Sequence, residues 1–80
     1  MPKISDLILY TTENCHLCEY AQQIIFETLG GTVDEIDIID DDRLLARYGV
    51  RIPVLQKTDT LAELNWPFTG QDIANLISRT

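Results

Sequence analysis

The chain contains two cysteines, Cys15 and Cys18, with two residues between them. Thiols at this spacing can close a small disulfide ring, and they can also supply part of a metal site. Glu19 follows Cys18, which excludes the motif for covalent haem attachment because that motif requires His there. The spacing therefore favours redox chemistry. The alternatives are a metal or iron–sulfur site shared between two chains, and inert burial of both thiols.

The apolar pattern places this pair where a strand gives way to a helix. The run from Leu7 to Tyr10 is continuous and apolar, as is typical of a strand buried on both faces. Apolar side chains then recur at helical spacing, which predicts a helix from about Asn14 to Leu29. Its inward stripe is predicted to comprise Leu17, Tyr20, Ala21, Ile24, Ile25 and Leu29.

A helix N-terminus offers unpaired N–H groups and the positive end of the helix dipole. A thiolate at Cys15 is stabilised there, so we expect the pKa of this thiol to lie below that of an ordinary cysteine. A protonated His16 acts in the same direction, while Glu13 and Glu19 act against it. Cys18 lies one turn further on and can reach back. We therefore predict Cys15 as the nucleophile and Cys18 as the resolving thiol. His16 either tunes the thiol pKa or is simply exposed at the helix start.

The rest of the chain predicts three more strands and two more helices. The strands are expected over residues 33–39, 54–57 and 61–64. Asp40, Asp41 and Asp42 would begin a short helix that ends at Gly49, and its inward residues would be Leu44, Leu45 and Tyr48. The segment Thr69–Asp72 resembles a capping box and would begin the last helix. The order β-α-β-α-β-β-α predicts one α/β domain over residues 1–80, a mixed four-stranded sheet with helices on both faces.

Charge and length exclude several classes of partner. Thirteen acidic and six basic residues give the 80-residue chain a net charge of −7, which disfavours nucleic acid and anionic membrane surfaces. No apolar run approaches the roughly 20 residues that a membrane helix needs. The first six residues lack the basic and apolar regions of a secretory signal. We therefore predict a cytoplasmic monomer without nucleic-acid or membrane partners.

Three segments carry a resemblance to a known family. They are residues 10–18 with the two cysteines, Arg51–Val54 before the third strand, and Thr69–Asp72 before the last helix. Pro53 opens a predicted strand, and this position favours a cis Ile52–Pro53 bond. Over nearly its whole length the chain resembles a glutaredoxin-like member of the thioredoxin fold. The resemblance implies a thioredoxin-like architecture for the predicted order of elements.

The resemblance also implies a substrate site. Ile52 and Pro53 would border it, and the backbone of the residue before the proline would pair with an extended substrate. Pro53 would keep metal ions away from the thiols, so that no metal is bound. Gly70, Gln71 and Asp72 occupy positions that help to hold glutathione in the family.

The chain departs from the family pattern near the cysteines. His16 and Leu17 stand where Pro and Tyr are usual. Arg51, the polar residue whose position most suggests substrate contact, stands where the pattern has Thr. Glutathione is a net anion, and Glu13 and Glu19 flank the cysteine motif. We therefore expect poor reduction of a glutathione mixed disulfide unless guanidinium groups hold its carboxylates.

Together these features predict an enzyme, a dithiol–disulfide oxidoreductase that reduces protein or small-molecule disulfides. Electrons would come from glutathione or from a reductase, without a bound cofactor. The alternative is a thioredoxin-fold binding module, or a metal or iron–sulfur carrier, without reductase activity.

Overall fold

The apolar run near the N-terminus forms the strand around which the sheet is built. In this computed structural model, which describes residues 3–13 and 15–78, that strand is β1 (Lys3–Thr11). It lies between β2 (Thr32–Asp37) and β3 (Val54–Lys57), and β4 (Glu63–Asn65) completes the order β2-β1-β3-β4. Strand β2 is parallel to β1, whereas β3 is antiparallel to both β1 and β4. The predicted mixed four-stranded sheet is confirmed.

Helices cover both faces of this sheet, as predicted. In the described part of the chain they are α1 (His16–Leu29), the 3₁₀ turn Ile38–Asp40, α2 (Asp42–Tyr48) and α3 (Gly70–Ser78). Helices α1 and α3 lie on one face and α2 lies on the other. The predicted start of the first helix at Asn14 lies outside the described residues. Within those residues, no helix combines the length and the apolar character that a membrane crossing demands.

Both faces of β1 are buried, which accounts for its continuous apolar run. Toward α1 and α3, Leu7 and Leu9 belong to a cluster that also contains Ala21, Ile25, Val33, Leu55, Phe68, Ile73 and Leu76. Toward α2, Tyr10 belongs to a second cluster with Ile38, Tyr48 and Val54. Full burial of one large apolar side chain contributes about 1.5–3 kcal/mol. The central strand is therefore held from two sides.

The inward face of α1 differs from the predicted stripe. Cys18, Ala21 and Ile25 are buried, whereas Leu17 and Tyr20 are 46% and 59% exposed. With 3.6 residues per turn, two neighbouring stripes of this helix carry apolar residues, and only one of them can face the sheet. The small, fully buried Ala21 explains which stripe is used, because it lets the helix approach the sheet closely.

Helix α2 buries fewer side chains than predicted. Leu44 and Tyr48 pack toward the sheet, but Leu45 is exposed. Residues four positions apart share one face of a helix, and a seven-residue helix rests on the sheet along that single row. Its start follows the expected acidic cap, because the Asp41 carboxylate accepts the N–H groups of Arg43 (2.9 Å) and Leu44 (3.2 Å).

Three strands have bounds that the apolar pattern does not predict. Strand β1 begins at Lys3, before the apolar run from Leu7. The strand predicted over 33–39 ends at Asp37, because the Asp37 carboxylate accepts the Ile39 N–H at 2.9 Å and begins the 3₁₀ turn. The strand predicted from Leu61 begins at Glu63. Leu61 instead has a left-handed φ of 64°, and its N–H donates to the Lys57 carbonyl at 2.8 Å.

The other two helices also have local signals at their ends. Gly30 ends α1 with a left-handed φ of 73°, and its N–H donates to the Phe26 carbonyl at 2.8 Å. Before α3, the Thr69 N–H donates to Asp72 Oδ2 (2.9 Å) and the Asp72 N–H donates to Thr69 Oγ1 (3.2 Å). This reciprocal pair is the predicted capping box.

Trp66 and Phe68 pack against the sheet. Phe68 is buried in the first core cluster, and Trp66 is partly buried against it. Their ring centroids lie 5.2 Å apart in an edge-to-face arrangement. The Trp66–Pro67 bond between them is cis, which the sequence did not lead us to expect.

The Glu63 carboxylate is the polar centre of the α2 face. The Tyr48 hydroxyl and the Arg51 guanidinium (2.9 Å) both donate to it, and Arg47 lies 3.8 Å away. Burial raises the pKa of Glu63, but these hydrogen bonds outweigh burial and hold the pKa below its usual value. Tyr48 also stacks on Tyr10, with ring centroids 4.3 Å apart. Burial and the hydrogen bond to Glu63 raise the pKa of Tyr48 to about 12.

We expect the native protein to lose stability at alkaline pH as Tyr48 ionises, and we expect Tyr48→Phe to lack this loss. The usual pKa of this side chain is 10.0, so the folded protein holds the phenolic proton more tightly than the unfolded chain does. The stabilisation is complete below the unfolded pKa and is lost as pH rises through the folded pKa. At about 1.4 kcal/mol per pKa unit, the native sequence is expected to lose about 2–3 kcal/mol relative to the variant. Urea unfolding of both proteins at several alkaline pH values measures this, and parallel pH profiles would contradict it.

Candidate dithiol site

The two cysteines lie at the start of α1, where β1 has just ended. Cys15 is the N-cap residue with an extended backbone (φ −92°, ψ 98°), and its Sγ accepts the Cys18 N–H at 3.1 Å. A disulfide joins the two sulfur atoms, and the Cα atoms are 5.2 Å apart. Cys15 is half-buried, whereas Cys18 is buried within α1. A partner that approaches from solvent therefore meets the sulfur of Cys15 first.

A recess of about 280 Å³ opens beside the disulfide. Besides the cysteines, its lining comprises Thr11, Thr12, His16, Glu19 and Glu35. His16 is well exposed, and its Nδ1 lies 3.6 Å from Glu19 Oε2. The imidazole therefore faces a carboxylate as well as the disulfide recess. Its role in tuning the Cys15 thiol stays a prediction.

Glu35 lines the recess from β2, and the sequence alone did not single it out. Its partner in the register is Leu9 of β1, and its Oε2 accepts a hydrogen bond from Gln22 Nε2 at 3.0 Å. Gln22 Nε2 also donates to the Val33 carbonyl at 3.1 Å, so the amide that holds Glu35 is itself anchored. The signal was present, because the carboxyl ends of the predicted parallel strands must meet at one edge of the sheet.

The Ile52–Pro53 segment directly precedes β3. It lies at the end of the sheet where β1 leads to the cysteines. This placement follows from the pairing of Val54 with Tyr10. The Ile52–Pro53 bond is cis, as predicted. Pro53 is fully buried, and the Ile52 N–H donates to the Tyr48 carbonyl at 3.1 Å. One of the two backbone hydrogen-bonding groups of Ile52 is thus already used, and pairing of this residue with a substrate stays a prediction.

Arg51 is engaged on the α2 face. Its Nη2 donates to Glu63 Oε1 (2.9 Å) and to Asn65 Oδ1 (2.8 Å), and its guanidinium lies 5.3 Å from the centre of the Tyr48 ring. It does not line the recess beside the disulfide. The structure therefore provides no support for the predicted contact between Arg51 and a substrate at the sulfur atoms.

The structure does not bring Gly70 to the disulfide. A Cβ atom at Gly70 would lie only 2.6 Å from Thr28 Oγ1, so the absence of a side chain lets α3 begin directly against α1. Thr28 lies ten residues after Cys18 in the same helix, which corresponds to about 15 Å along its axis. The last helix therefore begins beside the far half of α1.

The neighbours of Gly70 have local partners instead. Asp72 caps α3 through Thr69, and Gln71 Nε2 donates to Asn75 Oδ1 at 3.2 Å. Neither Gln71 nor Asp72 lines the recess. The expectation that these residues hold a substrate at the sulfur atoms is not supported by this placement, because close packing of the two helices determines where α3 starts.

His and Glu side chains lie near the cysteines, but the described residues are not arranged as a metal site. Among residues 3–13 and 15–78, no group of three or more His, Cys, Asp or Glu side chains is arranged to hold a metal ion. A closed zinc site typically has four protein ligands. The described residues therefore do not form a closed four-ligand site at the two thiols.

Solved structures of two proteins are similar to this chain over most of its length. The X-ray structure of protein XcR50 from X. campestris is 32% identical, covers 92% of this chain and 97% of that chain, and has a TM-score of 0.82. Its solution structure covers 94% and 95% with a TM-score of 0.81. Protein Ne2328 from Nitrosomonas europaea, solved by NMR, is 26% identical over 88% and 87%, with a TM-score of 0.70. A comparison with curated proteins found no match.

These neighbours share the α/β arrangement seen here, a mixed four-stranded sheet of the thioredoxin-like fold. Residues 6–78 match the family described as Glutaredoxin-like domain (DUF836). That span includes most of the central strand, the cysteine pair and the cis-proline segment. The chain therefore belongs to the glutaredoxin-like domain family.

Proposed function

We propose that the protein is a dithiol–disulfide oxidoreductase that acts through Cys15 and Cys18. The observation that carries the proposal is the position of the Cys15 sulfur, which caps α1, accepts the Cys18 N–H at 3.1 Å and borders an open recess. In the reduced protein a thiolate at this place gains a hydrogen bond and the favourable end of the helix dipole. Membership of a glutaredoxin-like family supports the same chemistry.

The reaction uses the two thiols in sequence. The Cys15 thiolate attacks one sulfur of a substrate disulfide, so that a mixed disulfide forms, the substrate S–S bond breaks and one substrate thiolate leaves. Cys18 loses its proton to solvent and attacks Cys15 Sγ, which closes the intramolecular disulfide and releases the second substrate thiolate. Two electrons pass from the protein dithiol to the substrate. Glutathione or another thiol reductant returns them and is itself oxidised to a disulfide.

The exposure of the two sulfur atoms supports this order of attack. Cys15 is half-buried beside the recess, whereas Cys18 is only 3% exposed. An intermolecular attack needs access to a second disulfide, while the resolving attack needs only the neighbouring sulfur. Both requirements are met by these positions.

We expect the two reduced thiols to ionise at different pH values. In Cys18→Ser, the remaining Cys15 is expected to ionise at lower pH than a free thiol, because the helix N-terminus stabilises its thiolate. In Cys15→Ser, the buried Cys18 is expected to show no such displacement. The ultraviolet absorbance of the thiolate, followed against pH in both variants, measures the difference. Equal and undisplaced titrations would count against a nucleophilic Cys15.

We also expect the variants to differ in the adducts that they form. Cys18→Ser is expected to retain a mixed disulfide on Cys15 after treatment with hydroxyethyl disulfide, because no resolving thiol remains. The native protein is expected to release the adduct and form its internal disulfide, and Cys15→Ser is expected to form no adduct. Mass spectrometry of the intact proteins distinguishes these products. An adduct on Cys18 in Cys15→Ser, or the absence of any adduct, would contradict the assigned roles. Stoichiometric metal in a protein inactive in exchange would favour the carrier alternative.

A further inference from the structure

The charged groups that line the disulfide recess are carboxylates. Glu19 lies on α1 and Glu35 on β2, and the hydrogen bond from Gln22 at 3.0 Å keeps Glu35 beside the recess. Glu13 precedes the cysteines and is exposed. Among the described residues of the lining, only His16 is able to carry positive charge, and it is 3.6 Å from Glu19. The side chains that line the recess therefore present more negative than positive charge to an approaching substrate.

The basic side chains of the described residues do not compensate this charge, because none of them lines the recess. They lie at the start of β1, on the α2 side and at the end of β3: Lys3, Arg43, Arg47, Arg51 and Lys57. Two of these arginines already have a carboxylate partner, because Arg51 lies 2.9 Å and Arg47 lies 3.8 Å from Glu63. A substrate that brings negative charge to Cys15 thus meets repulsion there.

An apolar surface adjoins the acidic recess. Leu17 and Tyr20 are the exposed residues of the first turns of α1 that were expected to face inward. They are three positions apart, so they share one face of the helix. Glutathione has no large apolar side chain to cover this surface, whereas a protein segment can bring a Leu, Ile or Phe together with its cystine.

We infer that the substrate of Cys15 is a protein segment with Lys or Arg beside its cystine and an apolar side chain that covers Leu17 and Tyr20. The inference rests on the proposed oxidoreductase function and names its substrate class. Its basis is charge complementarity: formation of the mixed disulfide brings the partner's flanking residues next to Glu19 and Glu35. Cations are attracted to this place, and anionic glutathione is repelled.

Three disulfide-linked peptide dimers test the charge preference. Each is a blocked tripeptide in which Cys stands between two Lys, two Gln or two Glu residues. The release of peptide thiol by the reduced protein is divided by the release of the same thiol by dithiothreitol, which removes the intrinsic reactivity of each disulfide. We expect the normalised rate to be about tenfold higher for the Lys dimer than for the Glu dimer at low salt. In 1 M salt, where the screening length is about 3 Å, we expect the ratio to fall below about twofold.

Matched variants locate the source of the preference. The double variant Glu19→Gln/Glu35→Gln is expected to reduce the ratio of Lys to Glu rates to about twofold, because it removes both carboxylates of the recess. The control Glu27→Gln/Asp6→Asn removes the same charge from exposed positions elsewhere. Glu27 lies about 12 Å further along α1 than Glu19, and this control is expected to retain the native ratio.

A second comparison tests the apolar contact and separates a protein segment from a small cationic disulfide. The Lys dimer is extended by either Leu or Ser on each chain. We expect the Leu dimer to react about threefold faster than the Ser dimer. This gain is smaller than full burial of a Leu side chain would give, because the contact lies on the surface. Leu17→Ser is expected to abolish that gain. Leu45→Ser, which changes an exposed leucine on α2, is expected to preserve it.

The outcomes separate the inference from the function on which it rests. No exchange with any dimer would overturn the proposed function itself. Exchange at equal normalised rates, or fastest exchange with the Glu dimer, would overturn the inference and leave an oxidoreductase. A Lys preference that survives in Glu19→Gln/Glu35→Gln would assign the effect to the net charge of the whole protein, and that result would also overturn the inference. Equal rates for the Leu and Ser dimers would overturn the inference that the substrate is a protein segment. They would indicate a small cationic disulfide instead.

Discussion

The hydrogen bond from the Cys18 N–H to Cys15 Sγ connects the fold of this protein with its chemistry. The first turn of a helix has N–H groups without backbone partners, and Ser, Thr, Asp or Asn normally accepts one of them. In α1 a sulfur atom has this role. A charged acceptor binds such a donor more strongly than a neutral one, so the helix start and a thiolate stabilise each other. Strand β1, paired on both sides, places this sulfur at the end of the sheet.

The charged side chains of the α2 face and those of the disulfide recess have different partners. On the α2 face, Glu63 accepts hydrogen bonds from Tyr48 and Arg51 and lies near Arg47. This arrangement satisfies a half-buried carboxylate and at the same time engages two of the few cations in an acidic chain. Among the described residues, the recess carboxylates of Glu19 and Glu35 have His16 and Gln22 as partners and no arginine.

Signals that act over three or four residues could be predicted from the sequence. The left-handed Gly30, the Asp41 cap and the reciprocal bonds of Thr69 and Asp72 all follow from chemistry within one helical turn. The element order and the cysteine pair at a strand–helix junction followed from the apolar pattern. Both are confirmed. They could be predicted because a small sheet with two covered faces admits few other arrangements.

Contacts between distant parts of the chain could not be predicted in the same way. The buried stripe of α1 depends on how closely Ala21 approaches the sheet, and apolar residues on the neighbouring stripe give no indication of that distance. The start of α3 depends on Gly70 meeting Thr28. For Glu35, the predicted parallel pairing indicates the edge of the sheet, but the exact place at the recess depends on the strand register. These features require the packed structure, since the interacting residues are far apart in sequence.

The edge strands of the sheet affect whether the protein aggregates at high concentration. An edge strand presents unpaired N–H and C=O groups, on which another molecule can add a strand and begin aggregation. Strand β4 is only three residues long, and β2 has the exposed acidic residues Asp34 and Glu35 in its middle. Strand β4 is therefore too short to pair extensively with a strand of another molecule. The carboxylates of β2 repel the same strand of a second copy.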